Sequence, residues 1–454
     1  MSFPVLLLNV IICTLVLYPT ASVQAKVLVA PVSKDKATNL FTISVFFETT
    51  LRPTKLYLDL GFRFPWTFCD ADNFNSNASS AHRIPCDPTF CRNVGVGSLT
   101  CNNCSANFPD QSDPFCVCGA FPENPVTIKT SLNDVFVDTL ALPTTEGSLA
   151  LIPNYTFSCS KPYIHIGLPK MATGLATVAR SKLSFQSQIS AALNSPNCSA
   201  ICFPTSSQAT GVAFFGSTGP YHAFPPNSSK IDVSKSLVFT PLVINPKSNG
   251  DTDVLFNDFP PSFRYFIGLT SIRINNKPVP VDQTLLTIDK KTGNGGTCLS
   301  TATPFTLLES SIYKAFTELF VKEAASPAFN LTPLTTPVKN FNVCYPAQDL
   351  TVTRVGPLVP AIDLVLHSRD VVWRISGANS MVRVTNKEKN VNLWCLGFLD
   401  GGVDNNTPIV IGGKQLEDNL LQFDLENDRL GFTSSLLPHS LSCDDFKVKD
   451  FANH

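Results

Sequence analysis

The chain has 454 residues, 34 of them basic and 35 acidic, for a formal net charge of −1 with no long run of either sign. That balance excludes nucleic acid and anionic membrane as main partners, since both are bound through clustered cations. With 44% hydrophobic residues and a length beyond one ordinary core, the chain is expected to fold as two domains of roughly 200 residues each.

The first 25 residues carry no charged side chain, run apolar from Pro4 to Tyr18 and end in SVQA, a small-residue pattern suited to cleavage after Ala25. A secretory signal peptide over residues 1–25 is expected, with the mature chain in the extracellular space or cell wall. No later apolar run reaches the ~20 residues that span a bilayer. Loss of Cys13 with the leader takes the cysteines from 15 to an even 14, as expected for disulfides in an oxidising compartment. Sequons at Asn77, Asn103, Asn154, Asn197, Asn227, Asn330 and Asn405 predict a glycoprotein.

Short strands then follow one another between Pro, Gly, Asn and Ser clusters: FTISVFFET, TKLYLDL, NDVFVDTLAL, GVAFFG, YFIGLTSIRIN, IDLVLH, VVWRI, IVIGG and RLGFT. Two segments read as helices: SKLSFQSQISAAL, with Ser181 as its cap, and ESSIYKAFTELFVKEAA, whose apolar residues recur at three and four. The fold class is therefore all-β with a few short helices. A polar stretch rich in Pro and Asn separates GVAFFG from YFIGLTSIRIN and sets a domain junction near residue 230. The expected domains are residues 26–230 and 231–454. An apolar strand, then a helix, then a strand leading to glycine recurs in both, a weak internal repeat.

Chemistry centres on LYLDLGFRFPWTFC, where Asp59 interrupts an apolar run, and on GGTCLSTATPFTLLESSIYKAF, some 240 residues later. These stretches resemble the two D-T/S-G motifs of pepsin-type aspartic proteases. The leading GGT and the trailing T-x-L-x-x-S-x-Y place Ser300, Thr301 and Ala302 where a protease has Asp, Thr or Ser, and Gly. The segment IVIGGKQLEDNLLQFDLENDRLGF is similar to the closing segment of that fold. With VVWRISGANSMVRV, CLGF and GGV, it resembles a plant subfamily without protease activity. That subfamily comprises xylanase inhibitors, xyloglucan-specific endoglucanase inhibitors, extracellular dermal glycoproteins and basic 7S globulins. The resemblance covers essentially the whole mature chain and implies a bilobal pepsin-like fold.

The departures bear on catalysis. Two carboxylates about 3 Å apart share one proton, so one activates water while the other donates. At Ser300 the second carboxylate becomes a hydroxyl, which cannot act as a base near neutral pH. Leu60 lacks the hydroxyl of the first motif, and no tyrosine lies between Tyr57 and Tyr155 to serve the flap that covers substrate. Asp289, in DKKTGNGG, reads as a solvated loop acid. No catalytic residue is expected; Asp59 and Ser300 are vestigial dyad positions, with Asp59 kept as a buried acceptor.

In an exported chain the C-x-x-C and C-x-C spacings among Cys86, Cys91, Cys101, Cys104, Cys116 and Cys118 point to disulfides rather than zinc. The resemblance implies the pairs Cys69 with Cys159, Cys344 with Cys395 and Cys202 with Cys443, and it leaves Cys198 and Cys298 additional, paired together or free. TGNGGT reads as a turn; neither HExxH nor G-x-S-x-G occurs, so no metal or cofactor is expected. In TGLATVARSKLSFQSQI, Thr177 and Ala179 stand at two glycine positions of the subfamily pattern.

A fold that keeps its cleft and loses its chemistry serves as a binding scaffold. The resemblance implies a secreted inhibitor of a cell-wall glycoside hydrolase, xylanase or xyloglucan endoglucanase, as protein partner. The alternative is a storage, stress or peptide-binding globulin of the basic 7S type. The C-terminal loop of related inhibitors often carries arginine, whereas here Asp404, Asn405, Asn406 and Thr407 supply no cation.

Overall fold

The computed structural model describes residues 27–47, 53–69, 81–86, 100–102, 116–226, 229–248, 260–367, 370–386, 391–403 and 406–446. The expected leader lies outside them. Among the described residues, no helix is long and apolar enough to cross a membrane.

The two halves of the chain meet in one antiparallel sheet. Its strands run in the order Leu28–Lys34, Thr210–Phe215, Cys198–Cys202, Leu420–Asp424, Arg429–Phe432 and Val238–Val243. The middle pairing, Ser199 with Phe423 and Ala200 with Gln422, joins N-terminal to C-terminal half. Both middle strands are buried along their whole length. On one face Ile201, Ala213, Phe215, Leu421 and Phe423 enter the main core. On the other, Ala200, Val212, Phe214 and Leu420 are covered by Leu436, Leu441 and Phe446 of the C-terminal segment.

Each half carries the same three-strand device. In the N-terminal half, Pro53–Asp59 runs parallel to Gly174–Thr177, which pairs antiparallel with Trp66–Phe68. In the C-terminal half, Thr297–Leu299 runs parallel to Ile409–Ile411, which pairs antiparallel with Thr306–Leu308. Asp59 pairs with Thr177 and Leu299 with Ile411, so the same register carried one residue on sets Ser300 against Gly412.

Both expected helices form. The first spans Phe185–Leu193, and its cap is Ser184, which accepts from Ser187 N, rather than the Ser181 read from the sequence. Ser181 instead accepts from Leu183 N, 3.1 Å, in a tight turn before the helix. The second spans Ser310–Ala324, with Glu309 accepting from Ser311 N and Ile312 N. It buries Ile312, Phe316 and Phe320 on one face, as its spacing requires.

Candidate functional site at the junction of the halves

Strand Pro53–Asp59 buries Leu56, Tyr57 and Leu58 before the chain turns at Leu60 and Gly61. Asp59 closes that turn. Its Oδ2 accepts from Gly61 N at 2.8 Å and Phe62 N at 2.5 Å, with Thr177 Oγ1 at 3.4 Å. The residue is only 2% exposed. Burial raises its carboxyl above the usual range, opposed by the Phe62 and Gly61 amides, the Arg264 guanidinium and the Thr177 hydroxyl.

The C-terminal device ends in the same kind of turn. Ser300 N donates to Ile411 O at 2.9 Å, whereas in the other half it is Asp59 O that accepts, from Val178 N at 2.8 Å. Ser300 Oγ accepts from Ala302 N at 3.1 Å, matching the Gly61 bond to Asp59. Ser300 and Thr301 are both buried. Between the turns, Tyr57 Oη lies 3.4 Å from Thr301 Oγ1, a buried contact across 244 positions of sequence. Leu60, at the place corresponding to Thr301, is fully buried and offers no hydroxyl in return.

A cationic segment seals this junction. A Cβ on Gly61 would lie 3.1 Å from Arg264 Cγ, so the missing side chain admits an arginine from the other half. Beside it, the Arg63 guanidinium stands 5.5 Å from the Phe263 ring centroid. Arg180 N donates to Phe263 O at 3.0 Å. The arrangement holds one acid among donors, with a neutral hydroxyl in the matching turn.

Thr177 is the residue that sequence reasoning undervalued. Its counterpart Gly412 has no room for a side chain, since a Cβ would fall 2.3 Å from Phe305 O. Thr177 donates instead to Phe62 O at 2.6 Å, holding the turn around Asp59. Its place at a glycine of the subfamily pattern was the available signal.

Asp289 is not among the groups that act on Asp59. It is exposed in its own loop, accepting from Lys291 N at 2.7 Å and Thr292 N at 3.3 Å. The glycines that follow, Gly293, Gly295 and Gly296, all have positive φ, as a turn requires. Among the described residues, no group of three or more His, Cys, Asp or Glu could hold a metal.

Disulfides join Cys69 to Cys159, Cys202 to Cys443 and Cys344 to Cys395. Cys86, Cys116 and Cys118 are disulfide-bonded too, while the side chains of Cys91, Cys101 and Cys104 lie outside the description. Cys198 and Cys298 are free, buried thiols on strands of different halves, so they do not pair. Of the sequon asparagines, Asn154 and Asn330 are exposed at positive φ, and Asn197 is half-buried. Asn77, Asn103, Asn227 and Asn405, with Asp404, lie outside the described residues.

Residues 41–217 match the family profile described as xylanase inhibitor N-terminal, and residues 264–434 match xylanase inhibitor C-terminal. A Glycine max protein named probable aspartic proteinase GIP1 is 49% identical over 448 residues, covering 98% of this chain and 97% of its own length. Gamma conglutin 1 of Prunus dulcis is 35% identical over 429 residues, covering 92% and 89% respectively. Among solved structures, edgp superposes with a TM-score of 0.84 at 38% identity, covering 94% of this chain and 99% of that one. Soybean basic 7S globulin gives 0.73 at 27% identity, covering 94% and 100%. With its two matching profiles, its paired three-strand devices and these relatives, the chain belongs to the xylanase-inhibitor and basic 7S globulin subfamily of the pepsin-like fold, a non-proteolytic branch.

Proposed function

We propose that this protein is a secreted, catalytically inactive aspartic-protease homologue that inhibits a cell-wall-degrading glycoside hydrolase, a xylanase or a xyloglucan endoglucanase. One observation carries the inactive part: the C-terminal turn corresponding to Asp59 presents Ser300, a hydroxyl accepting one amide bond. Peptide hydrolysis by this fold needs two acids that divide one proton between them. A serine hydroxyl keeps its own proton at any working pH and cannot serve as the base of such a pair. In this reading Ser300 replaces the second catalytic aspartate, and Asp59 is retained as an anchor for the turn.

The inhibitor part is supported by the two profile matches, whose descriptions name xylanase inhibitors. They end and begin at residues 217 and 264, either side of the proposed boundary near 230. Export through the leader at residues 1–25 and glycosylation at exposed Asn154 and Asn330 belong to the same reading, and the disulfides support it.

Titration of the purified secreted protein against a panel of xylanases and xyloglucan endoglucanases tests it. Saturable slowing of at least one enzyme is the expected result. Slowing of none would favour a second reading, a globulin, to which gamma conglutin and basic 7S globulin relatives point. Cleavage of a denatured protein substrate at acidic pH would overturn the inactive assignment.

A further inference from the structure

We propose that the hydrolase-facing surface of this chain is a loop pair of the N-terminal half, residues 122–132 and 161–171, whose tip carries Ile128 and Lys129 into an acidic cleft. The inference rests on the inhibitor reading above. Large apolar side chains stand exposed together here: Val126, Ile128, Tyr163, Ile166 and Met171, with Ile128 at 53% and Met171 at 69%. Exposed apolar side chains concentrated on two loops in this way point to an interaction surface.

The two loops form one unit. Fully buried Asn124 donates through Nδ2 to Ile164 O at 2.5 Å and Ile166 O at 2.9 Å. Its Oδ1 accepts from Val126 N at 2.8 Å and Thr127 N at 3.2 Å. Tyr163 Oη donates to Thr130 O at 3.2 Å, and Trp66 Nε1 fixes the base of the loop through Glu123 O at 3.0 Å. Such preorganisation removes much of the entropy that a mobile loop would lose on binding.

Strain singles out the tip. Ile128 has φ of 59°, and it is the only β-branched residue at positive φ among the described residues. The other non-glycine cases are Asn, Asp, Ser and one Lys. A β-branched side chain there is a true outlier, and strain of this sort gathers at functional sites. Ile128 N donates to Asn124 O at 2.7 Å, and Asn124 N to Lys129 O at 2.9 Å, so the neighbouring backbone enforces the conformation. The exposed side chain fills no core that would explain its retention.

Charge decides the partner. Lys129, Lys161 and Lys170 are exposed in these loops, whose single acid is the half-buried Glu123. The C-terminal loop over residues 400–407 offers Asp400 and Asp404 and no cation. A glycoside hydrolase cleft carries a pair of carboxylates flanking the scissile bond. A cation pairs with them, whereas an acidic loop is repelled.

The test uses the full-length secreted protein and the same enzyme panel, with inhibition constants and thermal midpoints for three variants. Ile128→Gly relieves the backbone and deletes the apolar tip, so the midpoint should hold or rise while inhibition weakens at least tenfold. Lys129→Glu should weaken inhibition at least tenfold at an unchanged midpoint, and Val403→Asp should inhibit like the wild type. If Ile128→Gly and Lys129→Glu inhibit as well as the wild type, or if Val403→Asp alone weakens inhibition, this surface is wrong and the inhibitor reading stands. If the wild type slows no enzyme, the inhibitor reading falls and takes this surface with it.

Discussion

At the end of strand Pro53–Asp59 the chain buries a carboxylate that accepts from two backbone amides; at the end of Thr297–Leu299 a similar turn buries a hydroxyl that accepts from one. The turn itself therefore needs only a side-chain acceptor two residues before the amide, which Ser supplies as well as Asp. What distinguishes the N-terminal turn is everything gathered around the charge. Phe62 N, Thr177 and Arg264 all favour the ionised form of Asp59, and burial still outweighs them. The C-terminal turn, with Gly412 pressed against Phe305, has no space for a counterpart of Thr177. One half has kept an environment for an acid, and the other holds a neutral group.

Placing a second acid in the neutral turn should break the arrangement most severely. Because Tyr57 and Thr301 tie the turns together, Ser300→Asp introduces a carboxylate into the junction that already buries Asp59. Both cannot ionise there, so stability at pH 7 should fall by about 3–5 kcal/mol. Most of the loss should return at pH 4, where the pair can share a proton. On the inactive reading proposed above, peptide cleavage should not appear either, since Leu60 is unchanged. Thermal melts at both pH values, with a peptidase assay, check this; a loss independent of pH would mean that residue 300 does not face Asp59.

A second buried acid shows what pH alone should do. Asp418 accepts from Cys443 N at 3.0 Å, beside Glu417, which Thr205 Oγ1 reaches at 2.6 Å and which also binds Lys34 and Lys414. Burial, aided by Glu417 and Asp445 and opposed by the Cys443 amide and Lys414, pushes Asp418 up to about 6. A folded value above the unfolded one means that the native state binds the proton first, so stability falls as pH rises from about 4 to 6. The shift is worth up to about 3 kcal/mol, fully lost by pH 7. His165, lowered by burial, contributes in the opposite sense below its ordinary value. The wild-type minus Asp418→Asn difference in melting temperature, measured from pH 4 to 7, isolates the Asp418 contribution. A flat difference would refute it.

Removing the retained acid should cost somewhat less. Asp59→Ala leaves Gly61 N and Phe62 N buried without their acceptor, a loss of about 2 kcal/mol. Asp59→Asn keeps an acceptor oxygen and no charge to bury, so it should lose under about 1 kcal/mol. Denaturant unfolding of the two variants separates hydrogen bonding from charge; equal losses would show that charge is what the turn requires.

Much of this contrast was legible in the sequence, because motif strands, turns and the two helices are local patterns. An acid inside an apolar run announced Asp59, and the flanking GGT and T-x-L-x-x-S-x-Y fixed Ser300. The central strand Cys198–Cys202 was missed because it is buried on both faces and shows no alternation. The long strand Leu149–Ser160 hides behind Pro153 and the positive φ of Asn154. Ser181 and Ser184 both precede the first helix, and only the turn between them shows which one caps it. Arg264 was beyond reach for another reason: its approach to Gly61 joins segments about 200 residues apart, and no local pattern encodes that distance.

The smallest change is the most discriminating. Ser300→Ala removes one acceptor, that of Ala302 N, a part-buried bond of ordinary length. A neutral hydrogen bond of this kind contributes about 1 kcal/mol or less. The expected loss is therefore below that of Asp59→Ala, although the two turns share one plan. If Ser300→Ala costs as much as Asp59→Ala in the same denaturant titration, the hydroxyl must do more than accept that bond. If it costs nothing, the C-terminal turn is held by its strand pairing alone, through Ser300 N and Ile411 O.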